Sequence, residues 1–565
     1  MTLSEYEQIA RLSRSKASSS STNLPVVEEG KISSPKLIVM RVNRCNLALG
    51  LLLPIIACLC TSLLAQSPAP QHAFFHVSLD RSFTSPASGR LLLFIAPASK
   101  GQKASDSVDM QMMSLTSTYI AAKELASLVP GASVDIDADD IVFPKPLSEA
   151  PAGEYRVQAV LDVHHSYNYD SRSAGDLVSV PTNITVPFAD SAAPSITLAK
   201  AIPEPPNPLA ENPEVNASTK PIDWVSPALT AFWGREIHMR GWVLLPPGYA
   251  SHPNDHYPTV YFTHGFGGTS FGLRARYAPI LYDRMKQGKM PEMIWVLLDE
   301  SSPTGTHEFA DGVNNGPWGT ALTTELIPSL EATYRMDARV SGRFLQGHSS
   351  GGWATLWLQT RYPEIFGGTW STSPDPSDFH FFSTIDLYAP HANFYHTQDG
   401  VQHPMLRDQG KPRATMQQLA QAEQVLGDYG GQLASFEYVF SPRGADGRPA
   451  PLFNRATGEI DPSVAAYWRG HYDIVERLKT NWSTIGPDLK GKIHLFVGTD
   501  DTFYLDGAAH SLQSTLDRLG GDAQFTFLPG RSHFDVYVQG DDRYALFDRI
   551  AAEMYRVARP DHVGK

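Results

Sequence analysis

The chain has 565 residues, with 46 basic against 59 acidic side chains and a net charge of −13. That length predicts roughly two to four domains with a sizeable buried core, and 42% apolar with 19% charged residues excludes a mostly disordered chain. The acidic balance excludes nucleic acid as the main partner, because phosphate binding needs a basic surface.

Cysteine is confined to Cys45, Cys58 and Cys60. Everything beyond residue 60 therefore lacks a disulfide, a thiolate nucleophile and a Cys-bound metal. The same first segment reads as targeting. Residues 1–39 are polar and Ser-rich, and Met40 is followed by Arg41, Arg44 and an apolar stretch from Leu47 to Ala65. This is the charged and then apolar order of a secretory signal, which makes Met40 the expected start and residues 1–39 an extension. Ile55-Ile56-Ala57-Cys58 also resembles a lipobox, which would lipidate Cys58. An uncleaved anchor is the alternative, since the apolar run of about 19 residues is near the span of a bilayer, although Pro54 interrupts it. The expectation is a secreted or periplasmic protein that meets a membrane only through residues 1–65, as signal, lipid anchor or span.

Residues 66–190 read as a small all-β, sandwich-like domain. Phe74–Asp80, Arg90–Ile95, Ser133–Asp137, Glu154–His164 and Asn183–Pro187 have strand-like composition or alternation, with Gly, Pro and Ser between them. Asp135 to Asp140 alternates carboxylates as calcium loops do, but Asp140 stands where such a loop needs glycine, so it reads as a solvated acidic turn. No His pair has zinc-ligand spacing as good as a His-Glu-x-x-His helix, so no metal and no cofactor are expected. Residues 191–223 are Pro-rich (Pro203, Pro205, Pro206, Pro208) and read as a semi-extended linker. From residue 224 to 565 short apolar strands alternate with helices, the pattern of a mostly parallel sheet covered on both faces. The strands are Thr259–Thr263, Met293–Leu298, Arg343–Gln346, Gly368–Ser371, Ile493–Val497 and Phe525–Phe527, with helices over Leu322–Tyr334 and Trp353–Tyr362.

The strongest chemical motif is Gly347-His348-Ser349-Ser350-Gly351-Gly352, between a predicted strand and a predicted helix. That context defines a nucleophile elbow, which exposes the Ser349 hydroxyl on a strained turn and aims the Ser350 N–H at a developing oxyanion. His348 reads as structural. Thr263-His264-Gly265-Phe266-Gly267-Gly268-Thr269 follows a buried strand upstream, where such a fold takes its second oxyanion donor; the Phe266 N–H is the candidate and Gly267 the rival. No Lys-Ser or Lys-Thr follows, so the loop is not a phosphate cradle. A serine hydroxyl needs a base. The chain order serine, acid, histidine selects His533, in Gly530-Arg531-Ser532-His533-Phe534 beyond the last strand. The acid belongs at the end of the preceding strand, where Asp500 and Asp501 are adjacent and cannot both face one imidazole. Asp501 is the choice and Asp500 the alternative; Asp506 is a third, and Asp375 or Asp378 would serve if the acid sat one strand earlier.

Together with Gly241-Trp242-Val243-Leu244-Leu245-Pro246-Pro247-Gly248-Tyr249 and Glu325-Leu326-Ile327-Pro328-Ser329-Leu330-Glu331, these motifs resemble an esterase family of α/β-hydrolases. That family includes the esterase D, feruloyl esterase and enterochelin esterase groups. The resemblance implies an α/β-hydrolase fold, with Ser349, Asp501 and His533 aligned to nucleophile, acid and base. It aligns Phe266 and Ser350 to the oxyanion donors. The departure is a spacing of 152 positions from Ser349 to Asp501, carrying an insertion at about 377–490 rich in aromatic residues, among them Phe394, Tyr395, Phe436, Tyr438, Phe440, Tyr467, Trp468, Tyr472 and Trp482. A cap over the site is the expectation. The function expected is exported serine hydrolysis of a carboxylic ester, small or polysaccharide-linked, with carbohydrate-linked or aromatic acyl esters as the expected class and with acyl transfer or binding without catalysis as the alternatives.

Overall fold

Two kinds of apolar pattern build two sheets. In the computed structural model the described residues are 72–562, apart from 100, 102, 104, 168–171, 189–192 and 428–430. The secretion, lipidation and anchor expectations for residues 1–65 lie outside them. Among the described residues no helix is long and apolar enough to cross a membrane.

The amino-terminal sheet has nine strands: β1 (Phe74–Leu79), β2 (Ala87–Pro97), β3 (Tyr119–Leu128), β4 (Ser133–Asp137), β5 (Val142–Phe143), β6 (Gly153–Asp162), β7 (Leu177–Ser179), β8 (Thr182–Val186) and β9 (Ser195–Ala201). They run in the order β4-β1-β9-β7-β6-β2-β3-β5, with β8 also on β6, and β1 pairs parallel to β9. The sheet is sandwich-like because it wraps one core, made by Phe75, Val77, Leu91, Leu93, Ile95, Val157 and Leu161 among others. Its opposite face is also covered: Leu92, Phe94, Ile120 and Val160 share a second core with the insertion. Burial on both faces explains why β2 reads as an unbroken apolar run and not an alternating one.

The Pro-rich linker is shorter than the sequence suggests. Ser195–Ala201 completes the first sheet, with Ile196 and Leu198 buried, and Thr219–Val225 is already the edge of the second. The prolines between them disguise the two-residue alternation of β9. In the acidic run, His72 Nδ1 lies 2.6 Å from Asp137, and Asp139 accepts from the N–H groups of Ala73 and Ser148. Among the described residues this is the one group of three side chains spaced to hold an ion. Its carboxylates are occupied in tying β1 to β4.

The second sheet has eight strands: β10 (Thr219–Val225), β11 (His238–Leu244), β12 (Thr259–Thr263), β13 (Ile294–Leu298), β14 (Arg343–His348), β15 (Gly368–Thr372), β18 (Ile493–Gly498) and β19 (Ala523–Leu528). Between β15 and β18 the insertion contributes a hairpin, β16 (Pro404–Asp408) and β17 (Lys411–Thr415). The sheet order is β10-β11-β13-β12-β14-β15-β18-β19; β11 is antiparallel to both β10 and β13, and the other neighbours pair in parallel. One face is covered by α1 (Ser270–Lys286), which follows the first oxyanion loop, and by the carboxy-terminal helix Ala545–Ala558. The other face is covered by α2 (Ser350–Arg361) and the helical stretch Trp318–Thr333. This is the α/β-hydrolase arrangement, and it brings the loops after β12, β14, β18 and β19 to one edge, where parallel sheets place their sites.

The insertion holds four helices: α3 (Met416–Leu426), α4 (Gln432–Phe440), α5 (Pro462–His471) and α6 (Ile474–Leu489). Its Phe394, Tyr395, Phe436, Phe440, Trp468 and Tyr472 share one core. Phe440 packs on Trp468 with ring centres 5.1 Å apart and on Phe379 at 5.6 Å, and Phe382 on Phe436 at 5.5 Å. Arg90 of β2 donates to the carbonyls of Gln424 and Val425 in the last turn of α3, at 2.8 to 3.1 Å, where a cation also suits the helix dipole. The insertion is thus held between the first sheet and the second.

Candidate active site

Ser349 sits between β14 and α2 with φ 60° and ψ −124°. A side-chain-bearing residue pays about 1–3 kcal/mol for such a conformation and keeps it only when its surroundings dictate it. Here the Ser349 N–H donates to Thr372 (3.1 Å), while its carbonyl accepts from Trp353 (3.0 Å) and Asp375 (3.1 Å). Three bonds of about 1 kcal/mol each match that strain. Glycine makes the approach possible: a Cβ on Gly351 would lie 2.4 Å from the His264 carbonyl oxygen, and one on Gly265 would lie 2.8 Å from Cβ of Ser349. The serine turn and the loop after β12 are pressed backbone to side chain, with room for hydrogen alone.

That loop is a tight turn, closed by the Gly268 N–H on the Gly265 carbonyl (3.0 Å), with Phe266 second and Gly267 third at φ 76°. The positive φ is what a type II turn requires. His264 anchors the turn: Nδ1–H donates to the Gly265 carbonyl (2.8 Å), and Nε2 accepts from the Glu300 N–H (3.1 Å) with Asp299 at 3.2 Å.

Of the two adjacent carboxylates, Asp501 faces the imidazole. His533 Nδ1–H donates to Asp501 Oδ2 at 2.9 Å, and Oδ1 accepts from the N–H groups of Phe503 (3.0 Å) and Leu505 (3.3 Å). The pair is buried, at 3% and 0% exposure. Asp500 points the other way, to Arg407, with 3.2 Å between the charged atoms. The His348 ring lies 4.5 Å from the His533 ring, and burial first, then His533 and Arg276, holds its pKa well below the ordinary value. His348 therefore stays neutral beside its neighbour. Among the described residues no hydrogen bond joins the Ser349 hydroxyl to His533; such contacts are commonly loose in an unliganded site.

The sequence model of a family described as "Putative esterase" matches residues 233–515, half of the chain. The chain belongs to this esterase family. Carboxylic ester hydrolysis is the activity this membership supports. The match takes in Ser349 and Asp501 and ends before His533. No curated protein matches the sequence. Among solved structures, this esterase is similar to a ferulic acid esterase at 15% identity, over 60% of this chain and 98% of that one, TM-score 0.38. It is also similar to a substrate-bound fluorophosphonate-binding serine hydrolase of Staphylococcus aureus at 13%, over 60% and 97%, TM-score 0.36. An S-formylglutathione hydrolase from Agrobacterium tumefaciens is similar at 14%, over 60% and 94%, TM-score 0.34.

Three further carboxyls of this esterase stand behind the serine. Asp375, a candidate acid by sequence, accepts instead from the Ser350 hydroxyl at 2.6 Å. Burial pushes it up to about 6, against the pull of Ser350 and His533. Glu300 and Glu308, on the loop after β13, have no exposure. Glu300 accepts from the Thr263 hydroxyl (3.0 Å), but its other oxygen and both oxygens of Glu308 have no hydrogen-bond partner among the described residues. Burial pushes Glu300 up to about 8 and Glu308 well above its ordinary value. Nothing in Asp299-Glu300-Ser301-Ser302 distinguishes it from an exposed polar loop, so the sequence reading missed both.

A proton held by the folded state and lost by the unfolded one ties stability to pH. The Glu300 carboxyl favours the fold fully below its ordinary value of 4.5, and this contribution drains away as pH rises towards about 8. Thermal melts of the parent and Glu300→Gln should diverge across that window, the parent losing more stability with rising pH; parallel curves would contradict a buried neutral Glu300.

Proposed function

We propose that the protein is an exported serine esterase that forms an acyl-enzyme on Ser349. The observation that carries the reading is the buried Asp501–His533 hydrogen bond at the edge where the strained Ser349 turn emerges. With Nδ1–H committed to Asp501, Nε2 of His533 keeps its lone pair and takes the Ser349 proton as the hydroxyl attacks the ester carbonyl. Ser350 opens α2, and the first N–H groups of a helix have no intrahelical acceptor. Its N–H and that of Phe266 receive the oxyanion. The imidazolium then protonates the leaving alcohol, and water repeats the sequence on the acyl-enzyme. The proposed substrates are small or polysaccharide-linked esters.

Hydrolysis of p-nitrophenyl acetate tests the mechanism. Ser349→Ala and His533→Ala should each lose at least about a thousandfold in kcat, and Asp501→Asn about as much, because the asparagine favours the wrong tautomer. Retained turnover in Ser349→Ala would overturn it. A panel of short acyl, feruloyl and sugar esters then sorts the substrate class. Export is supported by the apolar run after Met40. Protein recovered outside the cytoplasm should have an intact mass lacking residues 1–57 or 1–65; a full-length mass there would contradict cleavage.

A further inference from the structure

The loop that carries Asp501 is gripped from outside the α/β fold. Arg407 lies on β16 of the insertion, largely buried. Its N–H donates to the Thr502 carbonyl (2.8 Å). Nε donates to the Asp501 carbonyl (2.8 Å) and faces the Asp500 carboxylate (3.2 Å), while Nη2 donates to Asp506 (2.8 Å). The guanidinium also covers the Tyr504 ring, 4.6 Å from its centre, and Tyr504 itself stands at φ 61°. One side chain therefore spans residues 500 to 506, on both sides of the catalytic candidate. The N–H groups that hold the Asp501 carboxylate, those of Phe503 and Leu505, belong to the same stretch. The grip reaches further back, for Met405, Leu406 and Ala414 of the hairpin share a core with Met110 and Leu115 of the amino-terminal domain.

We propose that Arg407 is a positioning residue: it sets the loop that aims Asp501 at His533, so that the insertion, braced by the amino-terminal domain, completes the site. This rests on the serine esterase reading above. The geometry suits arginine in particular. A planar fork can serve a carbonyl, two carboxylates and a ring at once, whereas a lysine ammonium is a point charge on a flexible stem.

A merely structural or electrostatic role makes different predictions. His533 is faced by Asp501, Asp375 and His348. Removing a nearby cation with the loop in place would make His533 easier to protonate and move the acid limb of the kcat/KM profile up in pH. Letting the carboxylate drift would take away the partner of the imidazolium and move that limb down. Arg407→Lys keeps the charge and loses the fork. With p-nitrophenyl acetate and the full chain, Arg407→Lys should lower kcat about tenfold or more, with KM within about threefold and the acid limb shifted down. In the Asp501→Asn background the same change should cost no more than about twofold, since there is no carboxylate left to aim. An unchanged kcat and limb in Arg407→Lys, or losses that multiply in the double variant, would overturn the proposal. Ser349→Ala assayed in parallel separates the two levels. Activity surviving there sinks the serine mechanism itself, whereas its loss there beside an indifferent Arg407→Lys sinks this proposal alone.

Discussion

The site depends on one strained backbone conformation, that of Ser349. A residue with a side chain at φ 60° relaxes unless its neighbours forbid it, and the neighbours here come from three strands. Thr372 of β15, Asp375 beyond it and the first turn of α2 hold the serine's own peptide groups, while the loop after β12 presses against its Cβ through Gly265. Because the same contact sets the proposed nucleophile and the proposed oxyanion donors, a shift of one moves the other. Buried carboxyls close behind this turn, with Asp375 on the Ser350 hydroxyl and Glu300 on Thr263, bind the turn to the loops on either side of it.

The proposed base and acid, His533 and Asp501, come from the opposite wing of the sheet, from the loops after β19 and β18. Their pairing is direct and buried. The acid loop is bonded to the loop after β19, through the Asp500 N–H on the Arg531 carbonyl, and also to the insertion, which places Arg407 among the carbonyls and carboxylates of residues 500–506. The insertion in turn shares its aromatic and aliphatic core with the outer face of the amino-terminal sheet. The insertion thus also joins the two domains.

How much of this was legible depended on the range of the interaction. The six parallel strands are continuous apolar runs whose meaning is local, and each stands within a few residues of its expected place. Adjacency showed that only one of Asp500 and Asp501 can face His533 and left Asp500 as the alternative; the structure turns Asp501 to His533 and Asp500 to Arg407. Three strands at the domain junction were hidden. Ile196 and Leu198 alternate properly, but prolines follow close behind, and the antiparallel edge strands β10 and β11 carry mixed polar faces. The aromatic residues of the insertion were visible as a composition, but composition does not say whether a ring faces a ligand or another ring. Arg407, Glu300 and Glu308 carry no local pattern at all. Their roles come from contacts made across long stretches of chain, as with Arg407 and Asp501, 94 residues apart.

The central claim is that the strained serine, and no other hydroxyl, is the activated nucleophile. Treating the full chain with a fluorophosphonate and locating the adduct by peptide mass spectrometry asks this directly. The account predicts a single adduct on Ser349, abolished by Ser349→Ala and by prior heat denaturation. An adduct on a different residue, or none on the native protein, would contradict it.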